Sequence, residues 1–171
     1  KEQNEAKTLI KQQELDDANK IINNAMLHPV LTEMMQNKEA TEIRLEWKHK
    51  EVNFKGFADL LTTFNGRKCV VDIKTTNDAG KRFERDLYYN DYKMQLAMYQ
   101  DQYDKDTDAY IVAIETTTPF NVQIYKLDDS LLFKGWMDYD YYTDKFKEWN
   151  GEPQGYSSDI VEVKTETEEI L

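Results

Sequence analysis

Asp59, Asp72 and Lys74 are the residues of this chain whose types and spacing best suit chemistry on a phosphate ester. Asn65-Gly66 is a strong signal for a two-residue type I′ hairpin turn. With those residues at the tip, Phe64 faces Arg67 and, further back, Asp59 faces Asp72. Directly opposed side chains have Cβ atoms roughly 4.5–5.5 Å apart, and like charges there destabilise a sheet. Something must therefore compensate the two acids. Alternation along the second strand puts Lys74 on the face of Asp72, with Val71 and Ile73 on the other. A divalent cation between Asp59 and Asp72 would relieve their repulsion, and such oxygen donors suit Mg²⁺ or Mn²⁺. Lys74 would then orient an attacking water or stabilise charge developing on a phosphate. The competing reading is an exposed, salt-bridged sheet face, since a lone D-x-K recurs by chance; the opposed acids count against it.

Other polar residues carry paired readings. Gln95 and Tyr99 are one helical turn apart and share a face, either a polar edge beside the core or a hydrogen-bonding and stacking pair. Lys81, Arg82 and Arg85 form a local basic run that either holds phosphate or balances Glu84 and Asp86. Glu42 is either a metal or water ligand or half of a cross-strand charge pair. His28, before Pro29, either caps a helix or ligates a metal. His49 lies in the polar turn Lys48-His49-Lys50-Glu51 and reads as solvated.

The elements that must position these groups follow from periodicity. A polar helix runs from Asn4 to about Asn24, and a second, started by Pro29, runs to about Asn37. Thr41 to Trp47 alternates as a strand; Phe54 to Phe64 and Arg67 to Thr75 form the hairpin. A helix over Tyr92 to Tyr103 precedes strands at Tyr110 to Glu115 and Val122 to Leu127, with a turn at Pro119 between them. From Ser130 to Trp149, Phe133, Trp136, Tyr139, Tyr142, Phe146 and Trp149 recur at three- and four-residue steps, as in a helix packed against a sheet. The reading is one α/β (α+β) domain over 1–151 and an acidic, mobile tail over 152–171.

The chain has 171 residues, 40% of them hydrophobic, which suits one core. Cys69 is the single cysteine, so no internal disulfide forms. With no basic-apolar leader and no long apolar run, the chain reads as cytoplasmic, with no membrane partner. The formal net charge of −11 counts against a nucleic-acid partner, since such binders are usually basic. That count includes Asp159, Glu162, Glu166, Glu168 and Glu169 of the tail, and any metal-site acids that an ion would neutralise.

Gly56-Phe57-Ala58-Asp59, Val71-Asp72-Ile73-Lys74-Thr75-Thr76 and Gln95-x-x-x-Tyr99 resemble, in order, the motifs of the PD-(D/E)xK nucleases, in particular the RecE-type (exonuclease VIII) and RecB-family enzymes. Phe83 after the D-I-K-T-T run and Tyr92 before the Gln add to the likeness, which covers about residues 25 to 125. Leu27-His28-Pro29 is similar to the family's helix-borne His, and Glu42 to its strand Glu. Ala58 departs from the Pro of the superfamily name, and the second acid is Asp72 instead of Glu. The resemblance implies a restriction-endonuclease-like core, a central mixed sheet with an antiparallel meander flanked by helices. It also implies a metal among Asp59, Asp72, the Ile73 carbonyl and His28, with Lys74 beside it and Gln95 and Tyr99 contacting DNA or orienting the catalytic groups.

Three functions compete. The first is a Mg²⁺-dependent exonuclease on duplex DNA with an end, bacterial or phage-encoded, feeding single strands to recombination or to an annealing protein, as a homo-oligomeric ring in some relatives. The second is a structure-specific or defence endonuclease of the same fold. The third is a non-enzymatic acidic binding protein or DNA mimic, which the net charge favours and the opposed acids do not.

Overall fold

Asn65 and Gly66 both take left-handed backbone angles, φ 52° and 73°, as a type I′ turn requires. The hairpin they close lies at the centre of a five-stranded sheet in the computed structural model, which describes residues 11–104, 106–149 and 151. Strands β1 (Lys38–His49), β2 (Val52–Phe64) and β3 (Arg67–Thr76) form an antiparallel meander. Strand β4 (Asp108–Glu115) runs parallel to β3, and β5 (Val122–Leu127) returns antiparallel to β4. The sheet is thus mixed, in the order β1-β2-β3-β4-β5.

Helices cover both faces because alternation along the central strands sends apolar side chains both ways. Helices α1 (Gln12–Leu27) and α2 (Pro29–Gln36) close one side, where Ala25, Leu31 and Met34 pack with Leu60, Cys69, Val71, Tyr110 and Val112. Helices α3 (Lys81–Tyr89) and α4 (Tyr92–Tyr103) lie in the crossover that a parallel pair needs. With α5 (Asp129–Glu148) they close the other side, where Phe83, Leu87, Leu96 and Leu132 meet Ala58, Val70, Ile111 and Ala113.

Four expectations change. Strand β1 extends beyond Thr41 to Trp47 at both ends. Helix α3 was not anticipated, because only Phe83 and Leu87 anchor it. The aromatic helix does not bury its aromatic seam: Phe133, Tyr142 and Phe146 are 61%, 54% and 56% exposed, and Tyr139 alone of the six is buried. Helix α5 instead packs on α4 through Leu132, Gly135, Tyr139 and Thr143, because Gly135 lets it approach the Lys93 carbonyl closely. His49, expected in solvent, is half-buried: its Nε2 lies 3.0 Å from Asp140 Oδ1 and its ring centroid 4.5 Å from that of Tyr139. The β1–β2 turn is thus tied to α5, with Lys50 bonded to Asp140 and Asp144.

Cys69 is free and buried, and burial pushes its thiol up. Among the described residues no helix is long and apolar enough to cross a membrane. The N-terminal part of the Asn4 helix and the acidic tail lie outside the described residues.

Candidate active site

The hairpin register expected from Asn65-Gly66 holds from Phe64↔Arg67 through Leu60↔Val71, and the ladder stops one pair short of Asp59 and Asp72. A break in β2 accounts for this. Regular alternation would put Ala58 and Leu60 on one face, but they enter opposite cores. Across from the break, β1 pairs Thr41 with Leu60 and Ile43 with Ala58, and Glu42 between them takes φ 50°, unusual for a residue with a side chain. Asp59 therefore reaches β3 with its side chain, not its backbone: Oδ2 accepts the Ile73 N–H at 2.7 Å. The carboxylate replaces a ladder bond and sits at the edge of the split.

Asp72 is 2% exposed, a costly place for a carboxylate. Burial pushes its carboxyl up, Lys74 pulls it down, and the nearby charge of Asp59 pushes it up again. Lys74 Nζ lies 2.6 Å from Asp72 Oδ2, which makes it the ion-pair partner of this buried carboxylate. The ammonium is held from three sides: by Asp72, by Gln95 Oε1, which accepts from it at 3.2 Å, and by the Tyr92 ring, whose centroid is 5.1 Å away.

Gln95 is itself oriented, since its Nε2 donates to Tyr99 Oη at 3.2 Å. Tyr99 is 7% exposed and stands edge-on to Trp47, with ring centroids 6.5 Å apart. Gly56 makes room for it: a Cβ there would lie 2.7 Å from Tyr99 Cε1. The structure thus brings Asp72, Lys74, Gln95 and Tyr99 into one chain of contacts. Tyr99 closes that chain from inside the core.

The remaining candidates are dispersed. His28 is the N-cap of α2, its Nδ1 accepting the Leu31 N–H at 3.5 Å. A ring whose Nδ1 accepts carries its proton on Nε2, so capping and ligation through Nε2 exclude each other. Among the described residues no three His, Cys, Asp or Glu side chains gather closely enough to hold a metal ion, so His28 and Glu42 do not join Asp59 and Asp72. Arg85 is exposed on α3, and Arg82 lines a separate cavity past the end of β3. Sequence reading missed Glu115 and Tyr125. Glu115, buried at the end of β4, accepts the Ala79 and Asn121 N–H groups, and Tyr125 Oη donates to the Ala79 carbonyl. Together they fix the loop after β3; no local pattern in the sequence signals either.

The donors at the hairpin fit a divalent cation in chemical type: a buried carboxylate, Asp72, near enough to Asp59 to be affected by its charge, together with the main-chain carbonyl of Ile73.

A mixed sheet between helical layers, with a D-x-K strand beside an aspartate across a hairpin, defines the PD-(D/E)xK nuclease superfamily. The chain belongs to the family described as PDDEXK-like domain of unknown function (DUF3799), whose model matches residues 1–164. Among solved structures it is similar to a candidate exonuclease of Eubacterium rectale, at TM-score 0.64 and 16% identity over 78% of this chain and 52% of that one. At that identity the likeness concerns the fold. A second structure, SSO0001, has TM-score 0.39 and 21% identity, over 60% of this chain and 50% of that one, and carries no argument. The chain spans about half the length of these two proteins. No curated protein matches it.

Proposed function

We propose that the protein is a metal-dependent deoxyribonuclease that hydrolyses linear duplex DNA from an end. The observation that carries this reading is the half-buried Lys74 ammonium, held by Asp72, Gln95 and Tyr92 beside Asp59 at the split of the β2–β3 hairpin. A cation such as Mg²⁺ or Mn²⁺, held by Asp59, Asp72 and the Ile73 carbonyl, would supply positive charge to the scissile phosphate and acidify a water. Lys74 donates to the attacking water or to a phosphate oxygen as it gains charge. Asp72 holds the ammonium in place, and Gln95 fixes its direction. Arg82 and Arg85 on α3 face the strand backbone of the substrate. Delivery of single strands to an annealing partner, and a ring of copies around duplex, extend the same proposal.

Incubation with linear and closed circular duplex, in Mg²⁺ and in chelator, tests this reading. Loss of linear DNA alone, in Mg²⁺ alone, is the expected result. Cleavage of circles would make it an endonuclease of the same fold. No cleavage of either would leave the acidic binding protein that the net charge of −11 suggests. The orienting chain has its own test. Tyr99→Phe removes one hydroxyl, worth about 0.5–1.5 kcal/mol as a hydrogen bond, and is expected to slow cleavage by up to about tenfold while the Tm moves by only a few degrees. A wild-type rate in this variant would mean that Gln95 needs no support.

A further inference from the structure

A second polar cavity, of about 280 Å³, opens beyond the end of β3 and is lined by Thr75, Thr76, Asn77, Arg82, Asp86 and Thr116. Strands β3 and β4 are parallel, with Thr76 level with Glu115, so both chains leave the sheet on this side. The floor is rigid. Thr76 Oγ1 donates to the Asp78 carbonyl and accepts the Asp78 N–H, the Thr116 N–H donates to the Thr76 carbonyl, and Glu115 and Tyr125 hold Ala79 from below.

The walls still have donors to spare. Arg82 makes no ion pair or hydrogen bond among the described residues, although Asp86 lines the same cavity one turn along α3. The Thr75 hydroxyl and the Asn77 amide nitrogen likewise have no partner among the described residues. A guanidinium with a hydroxyl and an amide is the donor set that suits phosphate oxygens. Position identifies which phosphate. Two residues of strand, Lys74 to Thr76, span roughly 6.6 Å, on the order of the distance between neighbouring phosphates of one strand. The cavity lining begins at Thr75, the residue after Lys74 on β3, so a substrate strand whose scissile phosphate lies at Lys74 has this cavity beside it.

We propose that the cavity seats a nucleic-acid phosphate adjacent to the scissile one, gripped by Arg82 with Thr75 and Asn77 and weakened by Asp86. This rests on the nuclease reading above. The opposing acid keeps the grip loose, which suits an enzyme whose substrate must advance after each cut. The phosphate is either a diester of the backbone or a terminal monoester, and both offer the same oxygens.

Affinity for a short fluorescent duplex, measured by anisotropy in chelator over a range of salt, is to be combined with half-saturating enzyme concentrations from single-turnover cleavage in Mg²⁺. Arg82→Gln is expected to weaken binding by about 5- to 10-fold and to reduce the slope of log affinity against log salt by about one. Asp86→Asn is expected to tighten binding several-fold. Lys134→Gln, the same charge change on an exposed residue of α5, leaves both quantities unchanged. Duplexes with phosphorylated and dephosphorylated ends separate the sources: an Arg82→Gln defect confined to phosphorylated ends means a monoester, and an equal defect on both means a diester. If Arg82→Gln binds and cleaves as the wild type does, or no worse than Lys134→Gln, the cavity is not a phosphate seat and the nuclease reading stands. If the wild type neither binds nor cleaves, both fall.

Discussion

Lys74→Met is expected to slow single-turnover cleavage of linear duplex at saturating Mg²⁺ by on the order of 10²-fold or more, the usual cost of removing one transition-state donor. Methionine keeps most of the apolar stem and deletes the charge. Retained folding follows from the sequence alone, but the structure adds a pH dependence. Asp72 is 3% exposed at its side chain and Lys74 is its ion-pair partner. Breaking a fully buried pair costs roughly 3–5 kcal/mol; Lys74, at 23% exposure, places the cost below that range. The Asp72 carboxyl is already raised by burial, and loss of the ammonium raises it further. A carboxyl raised in the folded state costs nothing below its unfolded pKa of about 3.9. Its penalty grows as pH climbs through the folded value. The gap in Tm between wild type and Lys74→Met should thus be small near pH 4 and widest near pH 8. The double variant Asp72→Asn with Lys74→Met should recover the Tm and not the rate. Equal rates in wild type and Lys74→Met would remove Lys74 from the chemistry, whereas a pH-independent gap in Tm would show that Asp72 does not depend on it.

Gly135→Ala should be the most damaging single-methyl change in the fold. A Cβ at Gly135 would lie 2.2 Å from the Lys93 carbonyl oxygen, 2.5 Å from its carbon and 2.9 Å from the Met94 nitrogen. All three are backbone atoms of a helix and have no rotamer to escape into. Overpacking costs about 1–3 kcal/mol and at times more; here the upper end applies, offset by the roughly 1 kcal/mol that Ala gains over Gly in a helix. At about 2–4 °C per kcal/mol for a chain of this size, the Tm falls by on the order of 5–10 °C. Helix α4 must shift for α5 to stay, and Gln95 is the residue after Met94, so cleavage by the folded fraction should also slow. Melting within a degree of the wild type would show that the two helices do not meet so closely.

The centre of the site was legible because turn chemistry fixes register: Asn65-Gly66 admits one pairing, which brings Asp59 toward Asp72 and sends Lys74 to the same face. The break at Asp59 was hidden, since it depends on the left-handed angle of Glu42 in another strand and on two cores competing for Ala58 and Leu60. Gln95 and Tyr99 were legible as a pair by helical spacing, but the burial of Tyr99 depends on Gly56, far away in sequence. The aromatic run in α5 misled because large side chains usually mark the packed face; this helix packs by the narrow stripe that includes Gly135 and Thr143. Glu115 and Tyr125 act through single long-range hydrogen bonds, which no periodicity reveals.

The two acids share one hairpin, whereas Gln95 reaches Lys74 only when the crossover over 77–107 has brought α4 onto the sheet. Hairpins close in roughly 1–10 μs, and parallel pairings between distant segments are slower because loop closure must come first. The hairpin therefore gathers like charges ahead of the crossover, with Lys74 the cation nearest in sequence and the shelter of α4 still to come. Electrostatic conflict at this centre is thus met twice, once when the protein works and once, earlier, when it folds.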